Sequence, residues 1–158
     1  MNTIKIDRNN QPKAKPCTEN LTFGKHFSDH MFLMNYDEGQ GWHDPRIVPY
    51  GPFSLDPSSM VFHYAQEIFE GLKAYRDDQG RIRLFRPTEN IKRMNISATR
   101  MCIPQLPEDI TLEGLMELVR IDADWVPCDE GTSLYIRPFI IALMPVSGFT
   151  PPSPICLP

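Results

Sequence analysis

The sequence predicts an α+β fold, a mostly antiparallel sheet with two main helices. Three observations predict it. A period-two hairpin spans residues 71–85, two segments with apolar residues at helical spacing follow it, and a β-prone apolar run covers residues 133–143. Strands and helices thus come in blocks rather than in strict alternation. At 158 residues, 41% hydrophobic and 23% charged, the chain has the size and composition of one globular domain that buries its own core.

Taken in order, residues 1–20 form a polar arm with few apolar side chains, read as mobile or loosely docked. Leu21–Tyr36 is apolar and aromatic and contains a strand, and Asp37–Gly41 is a turn. Trp42–Ser59 carries Pro45, Pro49, Pro52 and Pro57 and reads as extended loop. In the hairpin, Leu72 and Ala74 alternate with Lys73 and Tyr75, and Ile82 and Leu84 with Arg81 and Arg83, across the turn formers Asp77-Asp78-Gln79-Gly80. Pro87 then precedes Thr88, the expected N-cap of the first helix, and Glu89 puts negative charge in its first turn. Ile91, Met94, Ala98 and Met101 form its inward stripe, while Arg93, Ser97 and Arg100 share another face. A second helix is expected from near Thr111 to Trp125–Pro127, with Leu112, Leu115, Met116 and Val119 inward. Ser133–Leu143 reads as a central strand. The domain therefore spans residues 21–143, and residues 144–158 are a Pro-rich tail in which Thr150–Pro158 alone holds four prolines.

Charge and motifs exclude several classes of function. Lys+Arg is 16 against 20 Asp+Glu, a formal charge of −4, which argues against a nucleic-acid or membrane-surface binder. No apolar run approaches the roughly 18 residues of a membrane span. Cys17, Cys102, Cys128 and Cys156 make no C-x-x-C pair and have no histidine at zinc-like spacing, so no metal site is expected. Residues 1–19 lack the apolar core of a signal peptide, and a reducing, cytoplasmic setting fits best. G-x-S-x-G, H-E-x-x-H and P-loop motifs are absent. Two arginines carry more information. Arg93 is either a solvated helix residue or a planar fork for a phosphate. Arg137, inside an apolar run, either faces an anion or closes an internal ion pair.

Several blocks resemble one family. His63-Tyr64-Ala65-Gln66-Glu67-Ile68-Phe69-Glu70-Gly71-Leu72-Lys73-Ala74-Tyr75 resembles the H-Y-x-x-x-x-F-E-G-x-K-A-[FY] block of branched-chain amino acid aminotransferases. So do Leu84-Phe85-Arg86-Pro87 with Asn90-Ile91-Lys92-Arg93-Met94, Asp124-Trp125-Val126-Pro127, and Gly131-Thr132-Ser133-Leu134-Tyr135-Ile136-Arg137-Pro138. The entry segment Phe23–Met31 is similar too, so the blocks run in the family's order over residues 21–142. The resemblance implies the small domain of a fold-type IV aminotransferase. It also implies pyridoxal 5′-phosphate as cofactor, a homodimer, and transfer of an amino group from leucine, isoleucine or valine to 2-oxoglutarate. By motif, Arg93 would hold the cofactor phosphate. Phe23, Phe69 and Tyr135 would line the substrate side-chain pocket, Tyr64 would reach the partner subunit's pocket, and Arg137 would meet substrate carboxylates. Taken singly, Phe23 and Phe69 read as ordinary core, and only the block match reverses that.

The resemblance also implies what the chain does not carry. The family's Schiff-base lysine lies in a second, larger domain. None of Lys5, Lys13, Lys15, Lys25, Lys73 and Lys92 matches it, so no catalytic residue is assigned and the chain alone is expected to be inactive. The match ends near residue 143, and a frameshift, premature stop or truncation is the expected origin of the tail. Two other readings remain: a non-catalytic half-enzyme or assembly partner, and a D-amino acid aminotransferase or aminodeoxychorismate lyase of the same fold.

Overall fold

The computed structural model describes residues 3–17 and 21–143; the expected Pro-rich tail, 144–158, lies outside them. The α+β class holds. In chain order the elements are β1 (Lys5–Ile6), β2 (His30–Asp37), β3 (Gly41–Pro49), α1 (Met60–Tyr64), β4 (Glu67–Phe69), β5 (Leu72–Arg76), β6 (Ile82–Leu84), α2 (Pro87–Arg100), α3 (Glu108–Ile121), a 3-10 turn (Ala123–Trp125), β7 (Leu134–Ile136) and β8 (Phe139–Ile141). They form three small sheets, ordered β1-β3-β2, β4-β8 and β6-β5-β7, antiparallel except for the β1–β3 pair.

The first correction is β3, which the prolines hid. Leu33 pairs with Arg46 and Asn35 with His43, so Asp44 and Pro45 together face Met34 in a bulge. Asp44 takes a left-handed φ of 50° there. A bulge needs no ladder N–H from its extra residue, so proline is tolerated. The arm is the second correction. Lys5 and Ile6 pair in parallel with Arg46 and Ile47, the Asn9 N–H donates to His30 Nε2 (2.8 Å), and the Lys13 N–H donates to Asp29 Oδ1 (2.9 Å). Backbone hydrogen bonds, not apolar burial, hold residues 3–17 down, and composition does not register such bonds.

The hairpin stands as read, with Ala74 opposite Leu84 and Arg76 opposite Ile82. Leu72 and Ala74 are buried, and with Leu115, Val119 and Val126 they form one core cluster. Ile68, Met94, Ala98, Ile103 and Leu106 form the other.

Both helices shift from expectation at their ends. α2 starts one residue before Thr88: Pro87 is the first helical residue, where its missing N–H costs nothing, and Arg86 (φ 46°, ψ 51°) makes the entry turn. Met101 lies past the last turn and is exposed, and buried Asn95 takes its place on the inner face. α3 starts at Glu108, because Glu108 and Asp109 place two carboxylates against the helix N-terminus. Leu115 and Val119 face inward, but Met116 is exposed; buried Gly114 instead lets the Phe32 ring of β2 lie on the helix. The predicted strand over residues 133–143 is two strands. Arg137 and Pro138 separate β7, on the edge beside β5, from β8, paired with β4, so neither is central. Among the described residues, no helix is long and apolar enough to cross a membrane, and no group of His, Cys, Asp and Glu could hold a metal.

Candidate functional site

Strand alternation builds the site. From Ile68 to Ala74 the even residues Ile68, Glu70, Leu72 and Ala74 are buried, while Phe69, Lys73 and Tyr75 are exposed on the other face. β8 pairs Phe139 directly with Phe69, and β7 pairs Tyr135 directly with Lys73. Directly opposed residues project to the same face, so these strands share one open aromatic surface. Phe53 meets Phe139 edge to face at 6.2 Å, and Phe23 meets Tyr135 edge to face at 5.0 Å.

Arg137 joins the two halves. Its guanidinium lies 4.4 Å from the Phe69 ring centroid and 5.1 Å from that of Tyr135, and its Nε donates to Tyr135 Oη at 2.9 Å. Nη1 and Nη2 have no acceptor among the described residues, so they remain free for a carboxylate. Phe23, Phe69, Tyr135 and Arg137, far apart in the sequence except for the last two, thus form one cluster. Phe23 and Phe69 are 73% and 62% exposed, so neither packs as core among the described residues. The ion-pair alternative for Arg137 finds no carboxylate partner among the described residues. Gly71 makes the cluster possible, because a Cβ there would collide with the Tyr135 hydroxyl.

Arg93 stands at the end of the same strand segment. It projects from α2 and meets Glu70, the residue between Phe69 and Gly71: Nε donates to Oε1 and Nη2 to Oε2, both at 2.6 Å. The Glu70 side chain is 8% exposed and that of Arg93 61%. Asn90 Nδ2 also donates to Glu70 Oε2 (3.1 Å) and to the Gly71 carbonyl (3.2 Å). The Arg93 guanidinium, helped by Asn90 and the Gly71 N–H, holds the Glu70 carboxyl below its ordinary range against the opposing effect of burial. Nη1 and one N–H of Nη2 face away from this pair. A donor set of that kind, outward-facing and planar, fits the phosphate of pyridoxal 5′-phosphate.

Tyr64 is not brought to the cluster. It lies on α1, 56% exposed, and among the described residues its one neighbouring aromatic ring is that of His63 at 6.4 Å. Glu70 and Asn90 were not among the site residues named from the sequence, and Lys73 was given no site role. Glu70 had a signal: it is the one charged residue in the buried alternation Ile68, Glu70, Leu72, Ala74, and a buried carboxylate requires a cation. Lys73 could be put on the outer face from sequence, but its position opposite Tyr135 depends on register. The chain also holds a buried network that resembles a catalytic dyad. His30 Nδ1 lies 2.7 Å from Asp122 Oδ1, but its Nε2 already accepts the Asn9 N–H. Both ring nitrogens are thus occupied, Nε2 in holding the arm and Nδ1 in pairing with Asp122 at the end of α3.

No family model matches the chain. It is 60% identical over 136 residues to branched-chain-amino-acid transaminase 1 of Bacillus subtilis, covering 86% of this chain and 38% of that protein. It is 46% identical over 151 residues to the branched-chain-amino-acid aminotransferase of Mycolicibacterium smegmatis, covering 92% of this chain and 41% of the relative. The chain therefore spans about two fifths of the length of these curated relatives. Among solved structures, the Escherichia coli branched-chain amino acid aminotransferase aligns with a TM-score of 0.53 at 27% identity, covering 68% of this chain and 34% of that one. A second branched-chain amino acid aminotransferase, the T.th. enzyme complexed with N-(5′-phosphopyridoxyl)-L-glutamate, aligns with a TM-score of 0.50 at 28% identity, covering 68% and 31%. By sequence and by fold, the chain matches the N-terminal, small-domain part of branched-chain amino acid aminotransferases of fold-type IV.

Proposed function

We propose that this chain supplies one wall of the active site of a branched-chain amino acid transaminase. Phe23, Phe69 and Tyr135 would contact the aliphatic side chain, Arg137 would receive carboxylates, and Arg93 would anchor the cofactor phosphate. The observation that carries the reading is the junction of the four cluster residues with the Arg93–Glu70 pair through the single tripeptide Phe69-Glu70-Gly71. An aliphatic side chain needs aromatic walls and few polar groups. Glutamate, the second donor in such a cycle, needs a cation at the same place. Arg137 lying on Phe69 offers both surfaces within one contact.

Pyridoxal 5′-phosphate, when bound, supplies the electron sink and carries the amino group between the two half-reactions. The residues of this chain orient and exclude: the aromatic row keeps water from the substrate side chain, and Arg93 fixes the phosphate end. Tyr64, exposed and away from the cluster, would reach the pocket of the partner subunit in a homodimer. The 158 residues include no lysine at the family's Schiff-base position, so on this reading they do not complete a turnover unaided. The cytoplasm remains the expected compartment.

A chimera tests the phosphate assignment, with residues 1–143 joined to the remaining part of the Bacillus subtilis relative. Arg93→Ala is expected to weaken retention of pyridoxal 5′-phosphate by tenfold or more, on the order of one charged hydrogen bond. Arg93→Lys should recover only part, since a point charge does not reproduce the planar fork. Unchanged retention in Arg93→Ala removes Arg93 from the site.

A further inference from the structure

We propose that Glu70, braced by Asn90 and the Gly71 N–H, is a positioning residue that fixes the Arg93 guanidinium with its Nη1 edge presented to a phosphate monoester. The inference rests on the reading of Arg93 as the phosphate anchor and adds the group that orients it.

The geometry of the pair carries it. An arginine has five N–H donors, and Glu70 takes two of them, on Nε and Nη2. The three that remain lie on the opposite edge. The carboxylate is inside and the guanidinium outside, so the pair has a direction, and its free edge faces solvent. Glu70 is itself held. Its Oε2 accepts from Arg93, from Asn90 at 3.1 Å and from the Gly71 N–H at 3.3 Å, while Asn90 also grips the Gly71 carbonyl. Four groups thus tie the end of β4 to the first turns of α2.

Two opposite effects follow from a carboxylate beside an anion site. Its charge repels the phosphate, whereas its hydrogen bonds remove rotamer freedom that a long side chain would otherwise lose on binding. Here Glu70 is already neutralised by Arg93 and turned inward, so orientation outweighs repulsion. The lowered Glu70 carboxyl keeps the pair ionised at neutral pH.

Two measurements on the 158-residue chain test this. The first compares affinities for pyridoxal 5′-phosphate and phosphate-free pyridoxal in the wild type, Glu70→Gln, Arg93→Ala and the double variant. Glu70→Gln is expected to weaken pyridoxal 5′-phosphate binding by about tenfold, to leave pyridoxal unchanged, and to have no further effect in the Arg93→Ala background. The second follows the Arg93 Nε–H resonance by NMR without ligand. It should be ordered in the wild type and lose that order in Glu70→Gln while the backbone spectrum is retained. Tighter or unchanged pyridoxal 5′-phosphate binding in Glu70→Gln, with Arg93→Ala still weakened, overturns the positioning role and spares the anchor. An Arg93→Ala chain that binds as the wild type does overturns the anchor itself. If Glu70→Gln does not fold, Asn90→Ala should give a smaller loss of the same sign and a less ordered Arg93 Nε–H. An Nε–H as ordered as in the wild type again contradicts the proposal.

Discussion

Phe69, Glu70 and Gly71 are consecutive residues with three different tasks: an aromatic wall, a buried carboxylate on Arg93, and a gap that admits the Tyr135 hydroxyl. Alternation along the strand separates the first two, sending Phe69 to the open face and Glu70 inward. Phe69 carries the clearest prediction at this scale. Its ring contacts the Arg137 guanidinium on the open face, where an aliphatic side chain would lie. In the chimera, Phe69→Ala is expected to raise KM for leucine about tenfold or more, in line with the roughly 1.5–3 kcal/mol of a buried aromatic. KM for glutamate should change less, because its side-chain carboxylate keeps Arg137. Steady-state kinetics with both substrates check this, and equal effects on the two would make Phe69 a packing residue only.

At the scale of elements, the hairpin turn is held by one carboxylate. Asp77 accepts the Arg81 N–H at 2.8 Å and the Nε–H groups of Arg81 and Arg83 at 2.9 and 3.1 Å. Partial desolvation pushes its carboxyl up, but these donors outweigh it and hold it down at about 2. The sign follows. With an unfolded value of about 3.9, Asp77 contributes stability that is fully present above that value and is lost as pH falls toward 2. Asp77→Asn should therefore lower the melting temperature at neutral pH, and the gap from wild type should close between about pH 4 and pH 2. The link between α2 and α3 depends instead on Asn95, whose Nδ2 and Oδ1 pair with the Leu106 carbonyl and N–H at 3.0 and 2.7 Å. Asn95→Ala leaves both buried backbone groups unpaired, and denaturant unfolding should show a loss of about 2 kcal/mol or more at roughly 1–3 kcal/mol for each group. The hairpin could be read in the sequence because its pairing is local and its period is two. Asn95 could not, because its position resembles an ordinary polar surface residue until the chain returns at Leu106. β3 was hidden because Pro45 is acceptable only at a bulge, and a bulge is defined by its partner strand.

At the scale of the whole molecule, the two core clusters lie behind the sheets, and the front face stays open. Phe53, Phe139, Phe69, Arg137, Tyr135 and Phe23 form a continuous row across it. Several large rings at the surface favour association. Sedimentation of the 158-residue chain is expected to show self-association that weakens when Phe69 and Phe139 are both changed to Ser. The candidate site residues could be named from the motif blocks, and the resemblance implied one pocket for Phe23, Phe69 and Tyr135, but the contacts among them could not be read, because they depend on which edge β7 and β8 join after Pro138 divides them. On the proposed reading Tyr64 shows the same limit, since the role proposed for it would need a second subunit. The most direct test of the account is a substrate panel on the chimera of residues 1–143 with the rest of the Bacillus subtilis relative, run beside the 158-residue chain alone. The account predicts turnover of leucine, isoleucine and valine with 2-oxoglutarate by the chimera, strongly reduced by Arg137→Ala, and none by the chain alone. Preferential turnover of D-alanine by the chimera, or turnover by the chain alone that Lys73→Ala abolishes, would contradict it.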